Sequence, residues 1–305
     1  MSSRANRGPT ARGSQGPGRP DRRERRSRRQ ADAVPFVARP FAGLPGETDW
    51  VALREFVPAA TATVALNPGY PPLEVRVASV LPLAHPAIRR VDGVVWLGLQ
   101  TAAAGASGDA SREVADALER SFATEPGQPV EPATRLVGGP RLQDMLDLGV
   151  PFQVTVHDDL DFWVADAGEQ SPEVVSSLER ANQTLTPSAR VLPDLSAYWA
   201  VMGDRTYLRW VLPDDEDSAL DAFARLYAGG GAGLTEDSRV LGSFRAGGLL
   251  VPVWEVAHGT TAEQLVEPLT ALRARLDEAR ADATPLGTEQ RRARAGLVSR
   301  QFTIH

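Results

Sequence analysis

Tryptophan placement constrains this chain more than any other feature. One Trp lies in each of four short apolar runs: Val95-Trp96-Leu97, Phe162-Trp163-Val164, Arg209-Trp210-Val211 and Val253-Trp254-Glu255, at spacings of 67, 47 and 44 residues. Each run reads as a strand, is preceded by a strand-like run across turn residues, and is followed by an amphipathic helical pattern. A strand–turn–strand–helix unit used four times predicts an α+β fold, with two tandem domains of antiparallel sheet covered by helices. Trp favours strands in any fold, so the recurrence does not by itself require common ancestry of the units.

The individual elements follow from local chemistry. Pro45-Gly46-Glu47-Thr48 starts a helix with Thr48 as its cap; Trp50, Leu53 and Phe56 share a face, and Pro58 stops it. Residues 61–66 and 73–81 read as strands, and Asp92-Gly93 is a hairpin signal leading into 94–99. A helix aligning Val114, Leu118 and Phe122 comes next, with an extra helix near 142–148. Ser171 and Pro172 open another, aligning Val174, Leu178, Ala181 and Leu185. Asp214, Asp215, Glu216 and Asp217 begin a third that turns Ala219, Phe223 and Leu226 inward. The last opens at Thr260-Thr261-Ala262-Glu263, a capping-box spacing, and aligns Leu265, Leu269, Leu272 and Leu276; Pro268 either kinks it or marks its true start. Thr186-Pro187-Ser188 is the expected boundary between a first domain, 34–186, and a second, 187–282, leaving 283–305 as a C-terminal tail.

Two residue types are missing. Without Cys there is no disulfide, thiolate nucleophile or Cys-based zinc site. Every one of the 33 basic side chains is Arg, which removes the P-loop lysine, a Schiff-base lysine and the kinase strand lysine. Charge is also segregated. Residues 1–33 hold ten Arg against three acids, a net of +7, whereas the remainder holds 23 Arg against 36 acids, a net of −13. That first segment has almost no apolar residue and is expected to be disordered. Its arginines, among them Arg22, Arg23, Arg25, Arg26, Arg28 and Arg29, are nucleic-acid-binding candidates, because an acidic body is a poor surface for phosphates. No apolar run has the ~20 residues a bilayer span needs. The Arg pairs are followed by Gln30-Ala31-Asp32-Ala33-Val34-Pro35 in place of an apolar export stretch, so the expectation is a cytoplasmic protein without membrane insertion.

The most chemical-looking cluster is His157-Asp158-Asp159-Leu160-Asp161, whose imidazole and carboxylates suit a divalent metal. Between two predicted strands, however, Asp-Asp is ordinary hairpin-turn material, and no second His–acid group accompanies it. The run Gly229-Gly230-Gly231-Ala232-Gly233 lacks the Lys-Ser/Thr of a phosphate loop and follows a helix, so it reads as a flexible loop. His85, His258 and His305 have no nucleophile beside them, and neither a Gly-x-Ser-x-Gly nor a His-Glu-x-x-His pattern occurs. No catalytic residue, cofactor or metal ligand is therefore assigned.

The run from Arg39-Pro40-Phe41-Ala42-Gly43-Leu44 through Trp50-Val51-Ala52-Leu53 to Ala60-Thr61, with Val80-Leu81-Pro82 and Leu97-Gly98-Leu99-Gln100, resembles an uncharacterised actinobacterial domain-of-unknown-function family over residues 36–280. The resemblance implies no reaction. By this resemblance many relatives carry an N-terminal SEC-C zinc motif and so a SecA-like label, neither of which suits a chain without Cys or a P-loop. The order of elements over 46–185 is also similar to that of secretion-chaperone-like domains, which bind polypeptides without catalysis. The expected function is a non-catalytic protein-binding or adaptor role with an unidentified protein partner. The alternatives are nucleic-acid or ribosome association through the tail, and a hydrolase with an unrecognised site.

Overall fold

The computed structural model describes residues 35–101, 107–133, 136, 138–164, 172–299 and 301–302. The expected disordered tail, 1–33, and the expected cap Ser171 lie outside them. In chain order the elements are α1 (Glu47–Glu55), β1 (Ala60–Val64), β2 (Val75–Ala78), β3 (Ala87–Arg89), β4 (Val95–Gly98), α2 (Ala110–Ser121), β5 (Gln128–Val130), α3 (Leu142–Met145) and β6 (Val154–Val156). They continue with α4 (Pro172–Gln183), β7 (Ser188–Arg190), β8 (Ala197–Met202), β9 (Arg205–Trp210), α5 (Glu216–Ala228), β10 (Arg239–Ala246), β11 (Leu249–Val256), α6 (Val266–Ala281), α7 (Thr288–Ser299) and β12 (Gln301–Phe302). The fold is α+β. One sheet runs β5-β3-β4-β2-β1-β6 and the other β12-β10-β11-β9-β8-β7. All pairings are antiparallel except β2 with β4 and β10 with β12.

Three of the four expected Trp strands form. Trp96 lies on β4, Trp210 on β9 and Trp254 on β11. Trp163 does not: residues 161–163 form a single 3-10 turn. Among the described residues, β6 is an edge strand paired with β1 alone. The chain then folds back so that Trp163 packs on Trp96, ring centroids 4.6 Å apart, and the side chain fills the outer face of the sheet instead of extending it. The β10–β11 hairpin turns at Gly247-Gly248, both with positive φ, as a two-residue primed turn requires. A Cβ at Gly248 would lie 2.3 Å from the Ala38 carbonyl oxygen, so only Gly admits that approach.

Helix ends depart from expectation in instructive ways. Gly46, left-handed, is the cap of α1; Thr48 sits inside the first turn, where its hydroxyl is 2.7 Å from Ser196 Oγ. Pro268 falls in the first turn of α6, where a missing N–H costs nothing, so the helix starts there and is not kinked. The box preceding it is shifted by one residue: Gln264 Oε1 accepts from Thr261 N–H at 2.8 Å. Residues 283–305, expected as a tail, carry α7 and β12; α7 packs on α5, and Leu297 is fully buried in the apolar cluster that α5 and α6 line.

Each sheet has two covered faces. On one face of the second sheet, Leu208, Trp210, Leu250 and Trp254 meet Phe223 of α5, Leu269, Leu272 and Leu276 of α6, and Leu297. On the outer face of the first sheet, Ala78 and Trp96 meet Leu160, Trp163 and the inward residues of α4. The largest cluster contains inner residues of both sheets, such as Val77 and Leu97 with Phe244 and Val251, together with α1, α2 and α3. The strands change sheet between Val156 and Ser188, and the described residues make one compact unit.

The shared element is α1. Asp49, Trp50, Val51, Ala52 and Leu53 are all buried in succession, so the helix is enclosed on every side and not amphipathic in the expected one-faced sense. Its buried carboxylate is fully occupied. Asp49 Oδ1 accepts from Ser196 Oγ at 2.5 Å and from Tyr198 Oη at 2.8 Å, and Oδ2 accepts from Arg190 at 3.0 Å. Removing the carboxylate orphans three donors of the second sheet at once. Asp49→Ala is therefore expected to cost about 2–4 kcal/mol. Urea denaturation followed by tryptophan fluorescence checks this; a loss under about 0.5 kcal/mol would mean that the network contributes little.

Candidate functional site

The strongest candidate surface is built where β6 leaves the sheet. After Val156 the chain enters His157-Asp158-Asp159-Leu160-Asp161, expected as a hairpin turn. It is a turn, but it leads into the 3-10 segment and not into a partner strand. Asp159 Oδ1 accepts from the Asp161 N–H at 2.9 Å, a short local loop that reverses the backbone. Leu160 and Trp163 are thereby driven under α4, where they join Trp96 in an apolar cluster.

Helix α4 is clamped onto that turn by one side chain. Asn182 Oδ1 accepts from Leu160 N–H at 2.9 Å, and Asn182 Nδ2 donates to Asp161 Oδ1 at 2.9 Å. Leu178, Ala181 and Leu185 touch the cluster below, yet no residue of α4 is fully buried. Val174 and Val175 remain 42% and 44% exposed. Between the helix and the turn lies a groove of about 260 Å³ with Val164, Val174, Val175 and Leu178 as apolar walls. Asp161 and Glu179 stand among its lining residues, with Asn182 alongside.

The histidine and acids of the turn do not converge. His157 Nε2 and Thr61 Oγ1 share a hydrogen bond of 2.8 Å, and the ring lies 4.6 Å from that of Phe162. Asp159 and Asp161 are spent on the turn and on Asn182. Among the described residues no three His, Asp or Glu side chains gather as a metal-holding group. Burial pushes the His157 imidazole below its usual range, against the weaker opposing pull of Asp159 and Asp158.

The other expected positions fall into structural roles. Asp215 caps α5 by accepting from Ser218 N–H at 3.1 Å; its hydrogen bond with the Ser218 side chain, and then that backbone bond, hold its carboxyl below the usual range. Asp214 pairs with Arg280 at 2.6 Å, and Asp217 with Arg294 at 2.5 Å, fastening α5 to α6 and α7. In the glycine run, Gly231 and Gly233 offer carbonyls to Arg275 at 3.0 and 2.9 Å. A phosphate would need N–H groups there. His258 Nδ1 lies 2.9 Å from the Asp204 carbonyl. The tail arginines Arg22, Arg23, Arg25, Arg26, Arg28 and Arg29, and His305, lie outside the described residues. Sequence reasoning missed the Ser196–Asp49 pair, which resembles part of a nucleophile system. Ser196 is 4% exposed, and its neighbours in the network are Thr48 and Tyr198 with no histidine, so it has neither substrate access nor a base.

The profile of a family described as "Family of unknown function (DUF5926)" matches residues 40–305. The chain belongs to this family. No curated protein and no solved structure matches it. The DUF5926 match runs to the C-terminus, past the residue 280 at which the resemblance was expected to end, and so takes in α7. Family membership carries no reaction.

The His157 environment gives a testable sign. The folded imidazole is held below its usual value of about 6.5, so the unfolded chain takes up the extra proton first as pH falls. This contribution to stability is full above about pH 6.5, declines as pH falls from there towards the folded value, and then levels off. The stability difference between wild type and His157→Asn should therefore shrink between about pH 7.5 and about pH 5 in urea titrations. A difference independent of pH would refute the assignment.

Proposed function

We propose that this protein is a non-catalytic protein-binding or adaptor protein of the cytoplasm, and that the groove beside α4 receives an apolar segment of a partner polypeptide carrying a basic residue. The observation that carries this reading is the unfinished burial of α4. Among the described residues, this twelve-residue helix has no fully buried member and leaves Val174 and Val175 partly exposed over an apolar groove. At about 260 Å³ the groove is smaller than the ~300–1,000 Å³ usual for small-molecule sites, and suits a few side chains of a peptide. Asp161 and Glu179 at the groove complement a cation on the incoming segment. The sequence has no Cys thiol and no Lys amine for covalent catalysis. No helix among the described residues is long and apolar enough to cross a membrane.

The test is affinity isolation from the native host in the presence of nuclease, with full-length wild type and Val175→Asp, followed by reconstitution of the recovered pair from purified components. Burying a carboxylate against the groove should weaken the reconstituted complex by at least ~10-fold, with the far-ultraviolet circular dichroism unchanged. Equal binding by the variant would remove the groove from the interface.

A second reading rests on the net charge of +7 over residues 1–33. If those arginines bind RNA or DNA, affinity should fall with salt at a slope of roughly 0.7–0.9 per phosphate neutralised, and deletion of 1–33 should abolish it. Binding that survives the deletion, or ignores salt, would exclude the tail as the site.

A further inference from the structure

Two large apolar side chains stand almost wholly in solvent at one end of the first sheet. Leu83 is 89% exposed and Phe36 81%. β2 and β4 are parallel and finish side by side, and β3, antiparallel to β4, starts where they finish. Leu83 lies in the connection from β2 to β3, at that end. Phe36 reaches the same end by another route. Val37 N–H donates to the Gly108 carbonyl at 2.9 Å, just ahead of α2. The start of α2 is held to the end of β4 through Glu113, which accepts from Arg54 Nη2 at 2.7 Å, while Arg54 Nη1 donates to the Leu99 carbonyl at 3.3 Å. Val91, 78% exposed, lies after β3 and so at the opposite end.

The backbone itself holds Leu83 outward. It is left-handed there, with φ 56° and ψ 19°, and Ala84 follows at φ 54°. Among the described residues these two are the non-glycine positions with positive φ, a region that a bulky side chain rarely enters. The turn is fastened on both sides. Ala84 N–H donates to the Leu81 carbonyl at 2.9 Å, and Gly98 N–H to the Pro86 carbonyl at 3.0 Å. A Cβ at Gly98 would lie 2.6 Å from the His85 carbonyl oxygen, so the turn sits directly on the end of β4. Strained backbone that is fixed by its surroundings in this way clusters at binding surfaces. The sequence supplies a second element. Residues 1–33, with a net charge of +7, end three residues before Phe36, whereas the remainder of the chain carries −13. The turn after β6 lies at the same end of the sheet and brings Asp158 and Asp159, so any attraction to an anionic surface has to come from the arginine segment.

We propose that this end of the first sheet docks on the surface of an anionic lipid bilayer, with Leu83 and Phe36 entering the headgroup layer and the arginines of residues 1–33 supplying the attraction. Apolar insertion and a polybasic segment are each weak alone, and together they hold a protein to a membrane. A fluid layer closes around single protruding side chains, whereas a protein partner would have to supply a shaped pocket for each. Nucleic acid would answer the arginines but leaves Leu83 without a role, because an aliphatic side chain offers no stacking face. The docking needs no spanning helix, and none is found among the described residues. The surface shares no residue with the α4 groove, and neither proposal depends on the other.

The experiment is co-sedimentation of the full-length protein with vesicles of phosphatidylcholine alone, and of equal parts phosphatidylcholine and phosphatidylglycerol, over a range of salt. Binding to a labelled single-stranded RNA is measured beside it. Wild type should bind the anionic vesicles and not the neutral ones, and should be released as salt rises. Leu83→Asn removes the apolar tip and suits a left-handed backbone, so it should fold at least as well as wild type and still bind anionic vesicles at least ~5-fold more weakly. Phe36→Ser should weaken binding to a similar degree. Val91→Ser, at the other end of the sheet, should leave it unchanged. No binding to anionic vesicles at low salt, or equal binding to neutral ones, overturns the proposal without recourse to any variant. Vesicle binding that Leu83→Asn and Phe36→Ser both leave intact overturns it as well, and with tight RNA binding assigns the arginines to nucleic acid alone. A loss in Val91→Ser matching that in Leu83→Asn would overturn the assignment to this end of the sheet.

Discussion

The structure depends on a single carboxylate in a single short helix. Asp49 is 5% exposed, and its two oxygens bind a serine, a tyrosine and an arginine of the second sheet. The helix that bears it is packed all round by apolar side chains drawn from both sheets. A buried charge is tolerated only with its partners in place, so the network fixes the orientation of α1 against the second sheet as well as stabilising it. The adjoining anchors work in the same way. Arg141 donates to Asp109 and to the Pro40 carbonyl, and Gln143 donates to the carbonyls of Pro40 and Ala42, tying the segment before α1 to α2 and α3.

The absence of lysine has a structural counterpart. The guanidinium is a planar, multi-donor group, and in this protein it repeatedly bridges elements distant in sequence: Arg54 to Glu113, Arg280 to Asp214, Arg294 to Asp217 and Asp221. The Arg294 pairs join α7 to α5 across the segment 283–299, which has low apolar content. Exposed pairs of this kind contribute little singly; here they accompany burial of Leu297 and Leu276, which supplies most of the stabilisation.

The surface next to α4 and the buried fork of Arg209 illustrate two ways in which a fold leaves chemistry unspent. In the first, apolar area is not fully covered: Leu178, Ala181, Leu185 and the Asn182 hydrogen bonds hold α4 to the turn, while Val174 and Val175 stay partly exposed. In the second, hydrogen-bond donors are not used: Nε and Nη2 of Arg209 have no acceptor among the described residues. The side chain is carried inward by strand alternation because Leu208 and Trp210 must face the helices. Position 209 then necessarily points at Phe56.

Local chemistry alone determined much of the architecture. The α+β class, the strands around Trp96, Trp210 and Trp254, the Asp92-Gly93 hairpin and the inward faces of α2, α5 and α6 all follow from periodicity and turn residues, because short-range sterics and one-sided burial leave the same marks in sequence and fold. The turn at 157–161 was legible for the same reason. Long-range decisions were not. Nothing near Trp163 indicates that it packs on Trp96 instead of extending a sheet, since strand and buried 3-10 turn are equally apolar. Thr48 looks like a helix cap, and only Gly46 and the distant Ser196 displace it from that role. The burial of α1 on all sides, the ordering of α7, and the unpaired fork of Arg209 depend on which surfaces meet. Sequence period reports how a residue faces its own element, whereas partners of a buried charge are chosen by contacts between residues more than a hundred positions apart, such as Asp49 and Tyr198.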